Sequence, residues 1–269
     1  MTRVILFSDL DGTFLDHHRY TPGRAPDAWK MLESQGVPLI FCSSKTFAEQ
    51  TALQNTLGMR QPFILENGSA IALPRGYFSA DFYSADRTSG AWDILVLSHA
   101  DRNDLLAYMA QYPRIRGFSQ TDKGALSAAT GLKEEALDRA CDRWFTETLI
   151  YPDEEQGVAP LREQFLRAGW RFSRGGRFFT VQSATADKGK ALSRLRGLFQ
   201  QKYPDAQLHT VAAGDSFNDA PMLAAADTAY QVQAYDGRWA DLGVPGLIQI
   251  EAPGPEGFSE IVRRMLTGL

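Results

Sequence analysis

Four short apolar runs in this sequence each stop at an acidic or hydroxyl-bearing turn, with helix-like stretches between them. Residues 4–7 run into Asp9-Leu10-Asp11-Gly12-Thr13, and residues 37–42 into Ser43-Ser44-Lys45-Thr46. Residues 63–65 end at Glu66-Asn67-Gly68, and residues 208–213 at Gly214-Asp215-Ser216. Runs this brief and this uniformly apolar read as strands buried on both faces, as in a parallel sheet. Helical patterns over 25–35, 47–57 and 188–201 fill the intervals, with Gly36 and Gly58 as stops. Strand and helix in alternation imply right-handed crossovers and an open α/β sheet. Ligands of such sheets bind beyond the carboxyl ends of the strands. The four polar ends are therefore expected to meet at one place.

The middle of the chain reads differently. Strands are expected at 92–97, 146–151, 170–173 and 178–181, the last two as a hairpin around Gly175-Gly176. Helices are expected at 101–112, 125–130, 133–143 and 164–168. This is a two-layer α+β unit with apolar positions of its own, among them Trp92, Trp144 and Trp170. The simplest architecture is an α/β core of residues 1–86 and 187–269 interrupted by a unit of residues 87–186. A helix over 222–226, a strand near 229–232 and a helix near 258–266 complete the core; Trp29, Met31 and Leu32 are apolar candidates in its first helix.

Composition narrows the function. A chain with 44% hydrophobic and 22% charged residues is an ordinary globular protein rather than a disordered one. A net charge of −4 argues against a nucleic-acid partner. Two cysteines, Cys42 and Cys141, make no disulfide framework or metal-ligand spacing, and no apolar stretch approaches a membrane span. A cytoplasmic protein is expected. An acidic protein with an anionic substrate must gather positive charge locally.

Asp9 and Asp11, two residues apart before Gly12, can address one point. Carboxylates so close repel unless a cation intervenes or one is protonated. An all-oxygen ligand set without His or Cys selects Mg²⁺, an ion commonly shared with a substrate phosphate. Asp9 can then act as nucleophile. Asp11 can protonate the leaving alkoxide and later deprotonate water. Asp215 would complete a metal set of Asp9, Asp11, Asp215 and Asp219; Asp219 alternatively caps its helix or holds Lys188. Ser43 can donate to a phosphoryl oxygen and Lys188 can neutralise it, with Ser44 and Lys190 as competitors. The four histidines form no ligand cluster.

With these residues placed, the chain resembles the haloacid dehalogenase superfamily of phosphatases over its whole length. Asp9-Leu10-Asp11-Gly12-Thr13 looks like its first motif, Ser43 its second, Lys188 its third, and Gly214-Asp215-Ser216-Phe217-Asn218-Asp219 its fourth. The resemblance implies a Rossmann-like parallel-sheet core with an inserted C2-type cap that closes over the site and sets substrate choice. Within the superfamily the chain is most similar to the mannosyl-3-phosphoglycerate phosphatase family. Ser43-Ser44-Lys45-Thr46, Glu66-Asn67-Gly68, Thr130-Gly131-Leu132, Gly175-Gly176-Arg177-Phe178, Ala186-Asp187-Lys188-Gly189 and residues 252–257 carry that similarity. Ser43 stands where relatives often have Thr, and Trp144-Phe145-Thr146-Glu147-Thr148 follows the family pattern only loosely.

The resemblance implies a hexosyl-3-phosphoglycerate as substrate and a hexosylglycerate as product, by way of an aspartyl-phosphate. Lys45 and Arg177 suit an anionic glycerate end, since Arg presents a fork to carboxylates. Glu66 and Asn67 could bond sugar or glycerate hydroxyls; an Asx turn at Asn67-Gly68 is the alternative. A general sugar-phosphate phosphatase or phosphohexomutase remains a second reading. A non-catalytic phosphate-ligand sensor is a third. Each takes a small phosphorylated sugar or glycerate as partner, and none involves nucleic acid or membrane. The sequence carries no signal of oligomeric state.

Overall fold

A computed structural model describes residues 2–150 and 157–267. A nine-stranded sheet spans the molecule. Its strands lie in the order Ile248–Pro253, Thr228–Gln233, Gln207–Gly214, Thr2–Ser8, Leu39–Cys42, Phe63–Leu65, Ala70–Pro74, Trp92–Val96 and Arg87–Ser89. The first six are parallel neighbours, and the last three extend the sheet antiparallel. Alternation explains why the opening strand is apolar on both faces from Val4 to Phe7. Ile5 and Phe7 face a layer containing Leu192, Leu195 and Phe199; Leu6 faces Trp29, Phe41 and Phe258. Each such side chain, fully buried, contributes roughly 1.5–3 kcal/mol.

The helices that frame the site are locally well specified. Helix Phe47–Leu57 starts at a reciprocal cap in which Thr46 Oγ1 accepts from the Glu49 N–H and Glu49 accepts from the Thr46 N–H. It ends at Gly58 in the left-handed conformation. Helix Lys188–Lys202 starts at Asp187, whose carboxylate accepts from the Lys190 N–H at 2.8 Å.

A second, antiparallel sheet orders Arg116–Gly117, Glu147–Ile150, Phe179–Ser183 and Trp170–Arg174. Helices Arg102–Met109 and Arg162–Arg167 share its core with Trp170, Phe172 and Phe179. Tyr151, expected at the end of the strand from Thr146, lies outside the described residues. No helix among the described residues is long and apolar enough to cross a membrane.

The switch between sheets does not fall at residue 87. Residues 87–89 and 92–96 pair into the large sheet, so the second unit begins after Val96. The reason is packing: the Trp92 ring stands edge-on to Phe63 at 5.0 Å, and Ile94 and Leu95 are buried in the core layers. Strands Ala70–Pro74 and Ile248–Pro253 were not expected from the sequence, being short and, at the second, half-exposed. Met31 is 42% exposed rather than part of the core, while Trp29 and Leu32 are buried as expected.

The turn Glu66–Gly68 packs directly on the start of helix Lys188–Lys202. Gly68 has φ +90°, and a Cβ there would lie 2.2 Å from the Asp187 carbonyl oxygen. Gly68→Ala is therefore expected to cost about 2 kcal/mol or more. Urea denaturation checks this; a midpoint equal to wild type would contradict the close approach.

Candidate active site

Asp9 emerges from the central strand Thr2–Ser8, its N–H donating to the Ala213 carbonyl of the neighbouring strand at 2.9 Å. Asp215 follows that neighbouring strand, so two carboxylates far apart in sequence leave the sheet side by side. Gly12 makes room for them: its φ is +87°, and a Cβ would meet Asp215 Oδ2 at 2.6 Å. Carboxylate oxygens of Asp9, Asp215 and Asp219 all lie within 4.8 Å of one another.

Lys188 enters this group from the second carboxyl-lined side. Its Nζ donates to Asp9 Oδ1 and to Asp219 Oδ1, each at 2.6 Å, and the residue is only 1% exposed. Burial alone would lower the lysine's pKa, but the charges of Asp219 and Asp9 outweigh it and raise it. Asp219 is committed twice over. Its Oδ2 accepts from the Asp215 and Ser216 N–H groups at 3.0 Å each. It thus holds both the lysine and the turn that presents Asp215, while belonging with Asp9 and Asp215 to the acidic group that could hold a metal ion.

Three buried carboxylates against one ammonium leave an excess of negative charge. Burial, then Asp219, pushes the Asp9 carboxyl up to about 7; burial, then Asp219 and Asp9, raises Asp215 well above the ordinary range. A cation between Asp9 and Asp215 would relieve this, and the all-oxygen donor set fits Mg²⁺. Asp11, expected as a fourth metal ligand, is placed otherwise. Its Oδ2 pairs with Lys45 Nζ at 3.0 Å, and its buried Oδ1 has no hydrogen-bond partner. Lys45 in turn reaches Glu49 at 3.4 Å.

A cavity opens over Asp9 and Asp11 between the two sheets. Of the residues expected to touch substrate, Lys45, Asn67 and Arg177 line it. Asn67, left-handed at φ 58°, accepts from Asn218 Nδ2 at 3.1 Å. Arg177 donates to the Tyr20 hydroxyl at 2.8 Å and to the Ala129 carbonyl at 2.9 Å. Ser44 lines the cavity whereas Ser43 does not; the Ser43 hydroxyl is buried and accepts from the Lys45 N–H at 3.2 Å.

Glu66, by contrast, does not line the cavity. Oε1 accepts from the Trp144 N–H at 2.7 Å, and Oε2 accepts from the Phe145 N–H, the Thr146 N–H and the Thr146 hydroxyl at 3.0, 2.8 and 2.7 Å. Fully buried, its carboxylate fastens the second unit to the core. Sequence reasoning read it as a polar strand end and could not see the donors arriving from 80 residues away. It also missed Tyr20, Arg143, Thr148 and Thr180 on the cavity wall. Thr148 and Thr180 lie opposite one another in the second sheet, a pairing no local pattern announces.

Residues 6–99 match the haloacid dehalogenase-like hydrolase family. A glucosyl-3-phosphoglycerate/mannosyl-3-phosphoglycerate phosphatase of Persephonella marina is 30% identical over 263 residues, covering 98% of this chain and 97% of its own. One of the same description from Methanococcoides burtonii is 33% identical, covering 96% and 93%. Among solved structures, a Thermoplasma acidophilum protein superimposes with TM-score 0.69 at 18% identity, covering 99% of both chains. A haloacid dehalogenase-like hydrolase from Bacteroides thetaiotaomicron gives 0.65 at 14% identity, covering 98% and 99%. At those identities the structures support the fold alone.

Three outcomes are expected of the charge cluster. Lys188→Met leaves buried Asp9 and Asp219 without their counter-charge, and should cost about 3–5 kcal/mol in chemical denaturation; a loss under about 1 kcal/mol would contradict the clamp. Mg²⁺ should raise the thermal midpoint of the wild type, and Asp215→Asn should remove most of that gain. Because the folded Asp9 carboxyl is raised from 3.8 to about 7, the metal-free protein loses stability as pH rises across that interval. The gain from Mg²⁺ is therefore expected to be larger at neutral pH than near pH 5, read by thermal shift.

Proposed function

This chain belongs to the haloacid dehalogenase-like phosphatases, and on that premise we propose that it removes the phosphate of a mannosyl- or glucosyl-3-phosphoglycerate to leave the hexosylglycerate. The observation that carries the reading is the juxtaposition of a lysine-clamped Asp9 with a cavity lined by Lys45, Arg143 and Arg177. Three cations at one opening, beside the carboxylates of Asp9, Asp11 and Glu49, suit a substrate with both a phosphate and a carboxylate. The near full-length relatives described as phosphatases of these two compounds support the same substrate class.

In the proposed mechanism a carboxylate oxygen of Asp9 forms the bond to phosphorus as the bond from phosphorus to the glycerate oxygen breaks. Asp11 gives its proton to the departing alkoxide, then takes one from the water that attacks the aspartyl-phosphate. That attack breaks the phosphorus bond to Asp9 and releases phosphate. Lys188 holds Asp9 in line and balances charge on the phosphoryl oxygens. A Mg²⁺ held by Asp9 and Asp215 would supply further neutralisation there. Lys45, bonded to Asp11, keeps that carboxyl turned toward the cavity. Two free cysteines, Cys42 buried and Cys141 partly so, fit the cytoplasmic setting proposed for the reaction.

Phosphate release with Mg²⁺ should favour hexosyl-3-phosphoglycerates over simple hexose phosphates by at least about tenfold in kcat/KM. Equal turnover of the two classes would reduce the reading to a general sugar phosphatase. Asp9→Asn should lower kcat by about 10⁴-fold or more with the fold retained; near-normal turnover would remove the nucleophile assignment.

A further inference from the structure

Arg143 is an unusual wall for a cavity. It is 8% exposed, yet the three acceptors its guanidinium reaches are all neutral: Thr146 Oγ1 at 3.0 Å, the Ser44 carbonyl at 2.7 Å and the Ala140 carbonyl at 3.5 Å. A guanidinium has five N–H groups, so two remain beyond these three bonds. The Glu49 carboxylate feels the Arg143 charge but is bonded to Lys45 and the Thr46 N–H, so a ligand in the cavity can supply a directly bonded anionic partner. The other cations of the wall differ. Lys45 is already paired with Asp11 and Glu49, and Arg177 is exposed at the rim.

The placement of Arg143 is set from two sides. The Ser44 carbonyl belongs to the core loop beside Asp9's neighbouring strand, and Thr146 belongs to the second unit. The Thr146 hydroxyl accepts from Arg143 Nε while donating to Glu66 Oε2 at 2.7 Å, so one O–H links the guanidinium to a buried carboxylate. Glu66 is covalently followed by Asn67, which lines the same cavity and is held by Asn218. The carboxylate that fastens the two units together therefore also fixes where the guanidinium sits on the cavity wall.

We propose that Arg143 recognises the carboxylate of the substrate's glycerate end, and that Glu66 and Thr146 are positioning residues that aim its guanidinium into the cavity. This rests on the hexosyl-3-phosphoglycerate reading above. A carboxylate meeting the free N–H edge of Arg143 gains charge-assisted bonds. A small phosphate ester without a carboxylate gains nothing from it.

Glu66→Ala would strand three buried N–H groups, so the informative change is Thr146→Val, which leaves the backbone bonds to Glu66 in place. KM for a hexosyl-3-phosphoglycerate should rise about tenfold with kcat little changed. kcat/KM for an aryl phosphate should stay at the wild-type value, and Thr146→Ser should restore the KM. In the Arg143→Ala background, Thr146→Val should raise KM no further, since the relay has lost its end. An equal fall on both substrates would reduce Thr146 to a structural role, and an unchanged KM would remove the relay. Either result overturns the inference while leaving the phosphatase reading standing. A wild type that cleaves aryl phosphate but no hexosyl-3-phosphoglycerate overturns the substrate reading and this inference with it.

Discussion

The ammonium of Lys188, buried between Asp9 and Asp219, is the contact around which the remaining chemistry is arranged. Three carboxylates crowded at one sheet edge would repel, protonate or drive the strand ends apart. One lysine arriving from a helix start allows them to remain close without a second protein cation. Such pairs rarely add net stability once desolvation is counted. What this one provides is geometry: Asp9 is held toward the cavity, and Asp219 is held where its other oxygen can receive two N–H groups of the Asp215 turn. The residual negative charge makes the place attractive to a divalent cation.

A second buried carboxylate organises the other half of the molecule. Glu66 lies in the core, next in sequence to a cavity residue, yet every bond its side chain makes goes to residues 144–146. The rings of Phe47 and Trp144 stack at 4.9 Å beside it, and the Arg87 guanidinium lies 3.8 Å over the Trp144 ring. Apolar and polar contacts thus fix the same short segment. The consequence is that the cavity-facing wall of the second unit is located relative to Asp9 through the core itself, with Arg143 one residue from the fastening point.

Much of the fold was legible because its signals are local. The strand ending at Asp9 and the helix over 47–57 announce themselves through uniform burial or a reciprocal cap. The boundary at residue 87 was misread because strands 87–89 and 92–96 are amphipathic pieces whose partner is chosen by the Trp92–Phe63 contact. Local periodicity says that a strand exists, not which sheet it joins.

The same division holds for the site. By itself the sequence determined which residues could carry phosphoryl chemistry, because strand-end carboxylates at Asp9, Asp11 and Asp215 and a lysine at a helix start have few other uses together. Only the tertiary structure decided their surroundings: Asp219 on the lysine and beside Asp9 and Asp215, Asp11 on Lys45, Glu66 on the N–H groups of residues 144–146. The physical reason is that a polar side chain's role depends on which donors and charges surround it. For Glu66 those donors come from a segment some 80 residues away, which only folding brings within 3 Å.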